Sequence, residues 1–239
     1  MAELSAQKLF EMTGRSAVIT GAGNGLGRMI ARGFVANGAT TLVLVDRNQK
    51  WLEDTRTQLL EISHQVSATT TPTIHLVQGD LGDEEALQRV ISETIATLAK
   101  SDEPGTSTCS SIARVSVKSP RHIHLRPISR QTRRIDARSA LLRARDVLPH
   151  QLVRTVGGRG NVICFSSVAS LHFSQFAPAY QTSKAAVNHL VVTMTAEFAE
   201  FYVRVNAISP GLFPSDMNPK DPKHPNYNNM AFEREMPAR

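Results

Sequence analysis

The sequence predicts a single α/β domain built on a doubly wound parallel sheet. Two observations carry that expectation: strand and helix patterns alternate over residues 16–100, and the strand cores are apolar at consecutive positions. AVIT (17–20) is a short β-rich run followed by a glycine turn, after which Leu26, Ile30 and Phe34 recur at helical spacing until Asn37-Gly38 supplies a stop. TTLVLVD (40–46) reads as a strand buried on both faces, and a helix follows through Leu52, Leu59 and Ile62. TIHLVQGD (73–80) is a third strand, and Asp83 is placed to cap a helix carrying Leu87, Val90, Ile91 and Leu98. Regularity returns with an amphipathic helix, ARSALLRARDVLPHQLV (137–153), and a strand, NVICFSS (161–167). A long helix, AYQTSKAAVNHLVVTMTAEFAEF (179–201), and a strand, VRVNAIS (203–209), follow. Residues 210–239 are rich in Pro, Asn and Asp and read as a loop.

With 239 residues and 41% hydrophobic content, the chain can bury one sizeable core. No apolar stretch reaches the roughly 18 residues of a membrane span. The start, MAELSAQKLFEMTGRS, lacks the basic and apolar regions of a secretory leader, so a cytoplasmic protein with no membrane partner is expected. Cys109 and Cys164 have neither zinc-site spacing nor the density of a disulfide scaffold, which agrees with a reducing compartment. His172, His189 and His224 share no ligand spacing, and His122 and His124 lack a third partner, so no metal site is expected.

The net charge of +6 would ordinarily suggest nucleic acid, but its distribution argues against that partner. Residues 105–154 hold eleven Lys/Arg against two acids, while the rest of the chain nets −3. The basic segment also lacks the interleaved aromatics of a single-strand binder.

Thr20-Gly21-Ala22-Gly23-Asn24-Gly25-Leu26-Gly27 lies between a strand and a helix. Glycines there let backbone approach a pyrophosphate, and the helix start offers N–H groups and a positive dipole end. Asp46 ends the second strand about twenty residues on, where a carboxylate can accept hydrogen bonds from adenosine ribose hydroxyls. That favours NAD. Arg47 beside it can pair with a 2′-phosphate, which leaves NADP open, and a merely solvated pair at the strand end is the plain alternative. Tyr180 and Lys184 are four apart and share one helix face, where an ammonium beside a phenol favours the phenolate. Tyr180 can then give or take a proton, and Ser167, at the end of the preceding strand, can hydrogen-bond a substrate oxygen.

The glycine spacing TGxxxGxG, with CFSS, YQTSKAA and RVNAISPG, resembles the short-chain dehydrogenase/reductase family of Rossmann-type enzymes. The resemblance covers residues 10–100 and 136–239. It implies hydride transfer between NAD or NADP and a small carbonyl or alcohol substrate, of the 3-oxoacyl or sugar-alcohol kind. Its active-site set is Ser167, Tyr180 and Lys184, and its cofactor contacts fall on Gly21, Asn24, Gly25, Leu26 and Gly27. By the same resemblance Asp80 and Leu81 meet the adenine, although Asp80 reads equally as a turn residue. Pro210, Gly211 and Ser215, in PGLFPSDM, match the loop that meets the nicotinamide carboxamide and begins the substrate lid, with Ser in place of the usual Thr. Members assemble as homodimers or homotetramers, and Val187, Leu190, Val191 and Met194 here are core or the dimer face that this helix forms in the family.

The chain departs from the family in three places. No NNAG-type motif follows the third helix; instead residues 105–135 show neither helical nor strand periodicity, so the fourth strand is expected to be missing or degraded. When the last base of each codon is read with the first two of the next, GTSTCSSIARV (105–115) can be encoded by bases spelling HLDVLVNSAG, which resembles the missing strand and motif. A one-base displacement of frame from near Gly105 to near Asp136 accounts for the segment. Asp136 stands where the family has an active-site asparagine, and the lid region stops at Arg239 without the family's final strand. The expected function is therefore an oxidoreductase impaired as written. The alternative is a non-catalytic dinucleotide-binding or interaction protein that keeps the first half of the fold.

Overall fold

The computed structural model describes residues 10–66, 71–101, 108–113, 160–171, 178–211 and 213. Six parallel strands form one sheet: β1 (Arg15–Thr20), β2 (Thr41–Asp46), β3 (Thr73–Gln78), β4 (Thr108–Ala113), β5 (Gly160–Phe165) and β6 (Val203–Ile208), in the order β3-β2-β1-β4-β5-β6. Among the described residues, four α-helices accompany them: α1 (Gly25–Ala36), α2 (Gln49–Val66), α3 (Glu84–Ser101) and α4 (Pro178–Phe198).

The consecutive apolar residues of the strands supply two faces at once. Ala17 and Ile19 of β1, with Leu42 and Leu44 of β2, pack against Ala31 and Val35 of α1 and Leu52 and Leu59 of α2. Val18, Val43, Val45 and Val77 point the other way and meet Leu87, Val90, Ile91 and Leu98 of α3. Alternate side chains of a strand face opposite sides, so a sheet covered on both faces has no solvent side to make polar. Further along, Val187, Met194 and Phe198 of α4 pack on Val162, Cys164, Val203 and Val205.

The helix ends follow the sequence signals. α1 stops where Asn37 caps it and Gly38 turns to φ +87°, and a Cβ at Gly38 would come 2.9 Å from Thr13 Oγ1. Asp83 caps α3, its Oδ1 accepting from Ala86 N–H at 2.8 Å. The predicted helix 179–201 is α4 plus a 3-10 turn at Ala199–Phe201, closed by Tyr202 in the left-handed region at φ +56°.

The fourth strand is a correction. Thr108–Ala113 occupies the slot between β1 and β5, pairing Arg15–Ile19 with Thr108–Ile112 on one side and Cys109–Ala113 with Gly160–Cys164 on the other. The signal is missing here because TCSSIA puts Ser110 and Ser111 where β1 and β2 run apolar at consecutive positions. The pairing uses backbone N–H and C=O, which an empty slot would leave unmet along both neighbours. Among the described residues the sheet ends at β6. The expected helix at 137–153, Asp136, Ser215, His122, His124, His172 and His224 lie outside the described residues.

Candidate active site

Because all six strands run parallel, every loop that follows a strand leaves from the same edge of the sheet. The order reverses between β1 and β4, and the carboxyl edge at such a reversal is where open α/β sheets bind ligands. Gly21 follows β1, Arg47 follows β2, Asp80 follows β3, Ser167 follows β5 and Pro210 follows β6.

The glycine turn needs its glycines. Gly21 (φ +67°) and Gly25 (φ +54°) are left-handed, and Asn24 caps α1, its Oδ1 accepting from Gly25 N–H at 2.6 Å. A Cβ at Gly27 would lie 2.1 Å from the Gly21 carbonyl oxygen, so α1 starts in direct contact with the turn. A Cβ at Gly23 would meet Asp46 Cγ and Trp51 Cβ, both at 2.9 Å. Bare backbone at a helix start suits an anionic pyrophosphate, and the residues present fit that group. The turn is also tied to its neighbours: Ala22 N–H donates to Val45 O at 3.1 Å, and Thr55 Oγ1 lies 3.2 Å from Ala22 O and 3.4 Å from Gly23 O. Arg28 donates through Nη2 to Gly23 O and through Nε to Thr55 Oγ1 at 3.0 Å.

Asp46 is half-buried. Its Oδ2 accepts from Gly23 N–H and its Oδ1 from Asn48 N–H, each at 3.1 Å, so the carboxylate is set beside the glycine turn. Next to it an open depression of about 680 Å³ is lined by Arg47, Lys50, Gln78, Asp80 and Arg89 among others. Asp80 also shapes its own turn, Oδ1 accepting from Gly82 N–H at 3.0 Å. Leu81 packs against the core on the α3 side, so a cofactor contact from it would come through its backbone.

Tyr180 and Lys184 lie near the start of α4, which is tied to the end of β5 just before Ser167. Lys184 is buried, its Nζ donates to Phe165 O at 2.9 Å, and it stands 5.7 Å from the centre of the Tyr180 ring. Ser166 Oγ donates to Lys184 O at 2.9 Å, which clamps the same turn of α4 to the end of β5. Ser167 is extended and buried; its Oγ accepts from Ala169 N–H at 3.2 Å, starting a 3-10 turn (Val168–Ser170). Val168 N–H donates to Pro210 O at 3.1 Å, which brings Pro210 next to the turn that follows Ser167. Two residues that the sequence reading passed over complete this corner. Ser170 Oγ donates to Ser167 O at 2.7 Å and accepts from Asn188 Nδ2 at 2.9 Å. Asn188 was findable: it stands four residues beyond Lys184, on the face that Tyr180 and Lys184 share.

Residues 15–226 match the family described as short chain dehydrogenase. The chain belongs to the short-chain dehydrogenase/reductase family. It is similar to 2-(R)-hydroxypropyl-CoM dehydrogenase of Xanthobacter autotrophicus, at 30% identity over 85% of this chain and 76% of the relative. It is equally similar to galactitol 2-dehydrogenase (L-tagatose-forming) of Cereibacter sphaeroides, at 30% identity over 91% and 78%. In fold it matches the NADPH-dependent 3-quinuclidinone reductase of Rhodotorula rubra, with a TM-score of 0.72 at 23% identity over 93% of this chain and 78% of that one. A 7α-hydroxysteroid dehydrogenase complexed with NADH gives 0.71 at 23% identity over 89% and 76%. Among the described residues of this family member no helix is long and apolar enough to cross a membrane, and no three His, Cys, Asp or Glu gather.

Proposed function

We propose that the chain binds a nicotinamide dinucleotide along the carboxyl edge of the sheet and reduces a small carbonyl, or oxidises the matching alcohol. The observation that carries this reading is Lys184, beside the Tyr180 ring and tied to Phe165 O two residues before Ser167, on the edge that also bears the glycine turn. The nicotinamide, when bound, supplies or accepts the hydride. The chain's own part is the proton and the alignment: Ser167 hydrogen-bonds the reacting oxygen, Tyr180 gives it a proton, and Lys184 anchors that turn of α4 to Phe165 O. Asp46 takes the adenosine ribose hydroxyls and favours NAD, while Arg47, Lys50 and Arg89 form a cationic counterweight that a 2′-phosphate would engage. Sugar alcohols and 3-oxoacyl compounds are the substrate classes to try first. The test is steady-state reduction of such a panel with NADH and NADPH, comparing the chain with Tyr180→Phe; equal turnover by the two would remove Tyr180 from the mechanism.

A second reading has its own observation. The glycine turn, Asp46 and the helices that brace them are fully built, whereas the sequence after β4 lacks the NNAG-type turn. We therefore propose that turnover by the chain as written is weak although it binds dinucleotide. Tight NADH binding without reduction of any substrate in the panel would favour a binding protein.

A further inference from the structure

We propose that Arg28 and Thr55 are positioning residues that pre-set the glycine turn for a pyrophosphate; this rests on the dinucleotide reading above. Thr55 comes from α2, outside the glycine motif, and is fully buried beneath the turn. Its hydroxyl lies 3.2 Å from the Ala22 carbonyl, 3.4 Å from that of Gly23 and 2.8 Å from that of Trp51, and it accepts from Arg28 Nε at 3.0 Å. Arg28 Nη2 donates to Gly23 O from the other side. The Gly23 carbonyl is thus held by Arg28, and Arg28 in turn by Thr55, whose single proton has its shortest acceptor in Trp51 O of its own helix.

A trans peptide points its C=O and the following N–H in opposite directions. Holding Gly23 O against Arg28 therefore turns the N–H that follows it, that of Asn24, away from the brace, while Gly23 N–H is held by Asp46 Oδ2 at 3.1 Å. Glycine-rich backbone loses more conformational freedom on ordering than any other, so fixing it in advance lowers the cost of binding. Charge gives an independent argument. Arg28 is the fourth residue of α1, whose first turn holds no acid, so a cation sits beside the positive end of the helix dipole. That placement is unfavourable by itself and becomes favourable when an anion docks at the turn.

The test compares ADP, which carries the pyrophosphate, with adenosine, which keeps only the part facing Asp46. Titration calorimetry on the full chain and on Arg28→Met, Arg28→Lys and Thr55→Val gives both dissociation constants. Arg28→Met and Thr55→Val are expected to weaken ADP about tenfold, or roughly 1.4 kcal/mol, and to leave adenosine unchanged. Arg28→Lys keeps the charge without the planar fork and should fall between. Arg28 is half exposed, so its truncation carries the test even if Thr55→Val fails to fold. Equal weakening of both ligands would reduce the pair to general stabilisers, and unchanged ADP binding would overturn the proposal. If the unaltered chain bound neither ligand, the dinucleotide reading would fail and this inference with it.

Discussion

Asn188 donates to the hydroxyl of Ser170 across 2.9 Å, and that hydroxyl donates in turn to the carbonyl of Ser167 at 2.7 Å. The side chain of one α4 residue thereby fixes the backbone of the serine proposed to align the substrate. Tyr180, Lys184 and Asn188 follow one another at four-residue spacing, so one helix face carries the proposed acid, the cation and the brace.

Ser170→Ala and Asn188→Ala should lower kcat with little change in the binding of NADH. A misplacement of about 1 Å at a reacting centre can cost roughly 10²-fold in rate, and loss of either link frees the Ser167 turn to move by that order. Asn188→Ser, if its hydroxyl reaches Ser170, should recover part of the loss. Unaltered kcat in both alanine variants would show that the turn holds without them.

Asp46 should make NAD the preferred cofactor, because a 2′-phosphate would face a carboxylate already fixed beside the turn by Gly23 and Asn48. Hydrogen bonds to a charged group contribute about 1.5–3 kcal/mol, so Asp46→Ala should narrow the NAD preference by roughly ten- to a hundredfold. Dissociation constants for NADH and NADPH check this. Tighter binding of NADPH by the unmutated chain would mean that Arg47, Lys50 and Arg89 decide instead.

Two glycines of α1 should respond oppositely to alanine. Gly27→Ala drives a Cβ to 2.1 Å from a backbone oxygen that cannot swing away, and overpacking of this kind costs about 1–3 kcal/mol or more. The melting temperature should fall by roughly 2–4 °C for each kcal/mol, and ADP binding should fall with it. A Cβ at Gly33 meets nothing within 4 Å and lies in mid-helix, so Gly33→Ala should stabilise by about 0.5–1 kcal/mol. A thermal shift assay on both variants decides the pair.

The elements legible in the sequence were those in which local chemistry and tertiary packing agree. The strands that became β1, β2 and β3 were readable because consecutive apolar residues serve both faces, and the ends of α1 and α3 because Asn37-Gly38 and Asp83 act through their own backbone neighbourhood. β4 was not legible. Its place follows from two neighbouring strands with donors and acceptors to satisfy, which is information that Thr108–Ala113 does not contain. Ser167, Tyr180 and Lys184 were readable as a motif. Their support from Ser166, Ser170 and Asn188, and that of the glycine turn from Thr55, depends on which elements pack together.

The coding bases for residues 105–115 should read HLDVLVNSAG, or a close variant, in the neighbouring frame. The displaced strand falls on the same stretch as β4, so the fold and the codon overlap point to one slot between β1 and β5. Sequencing genome and transcript across codons 100–140 checks it. Stops, or no such motif, in both alternative frames would end the idea.

Catalysis gives the last prediction. The chain as written should bind NADH yet turn over slowly, because the NNAG-type turn that touches the cofactor in this family is absent from the sequence that follows β4. Restoring the frame across residues 105–135 should raise kcat by far more than it tightens NADH, since the binding half of the site is already braced by Arg28, Thr55 and Asp46. In the restored chain Tyr180→Phe removes the proton donor and should cost the roughly 10²- to 10⁴-fold attributed to general acid catalysis, while NADH binding holds. Lys184→Met should also cripple turnover: the cation 5.7 Å from the ring centre is lost, and so is the tie from α4 to Phe165 O. Single-turnover reduction of a ketone panel, read beside NADH titrations, separates these effects. Robust turnover in the unrestored chain would show that β4 and its neighbours complete the site without the missing motif, and undiminished turnover in restored Tyr180→Phe would move the proton to another group.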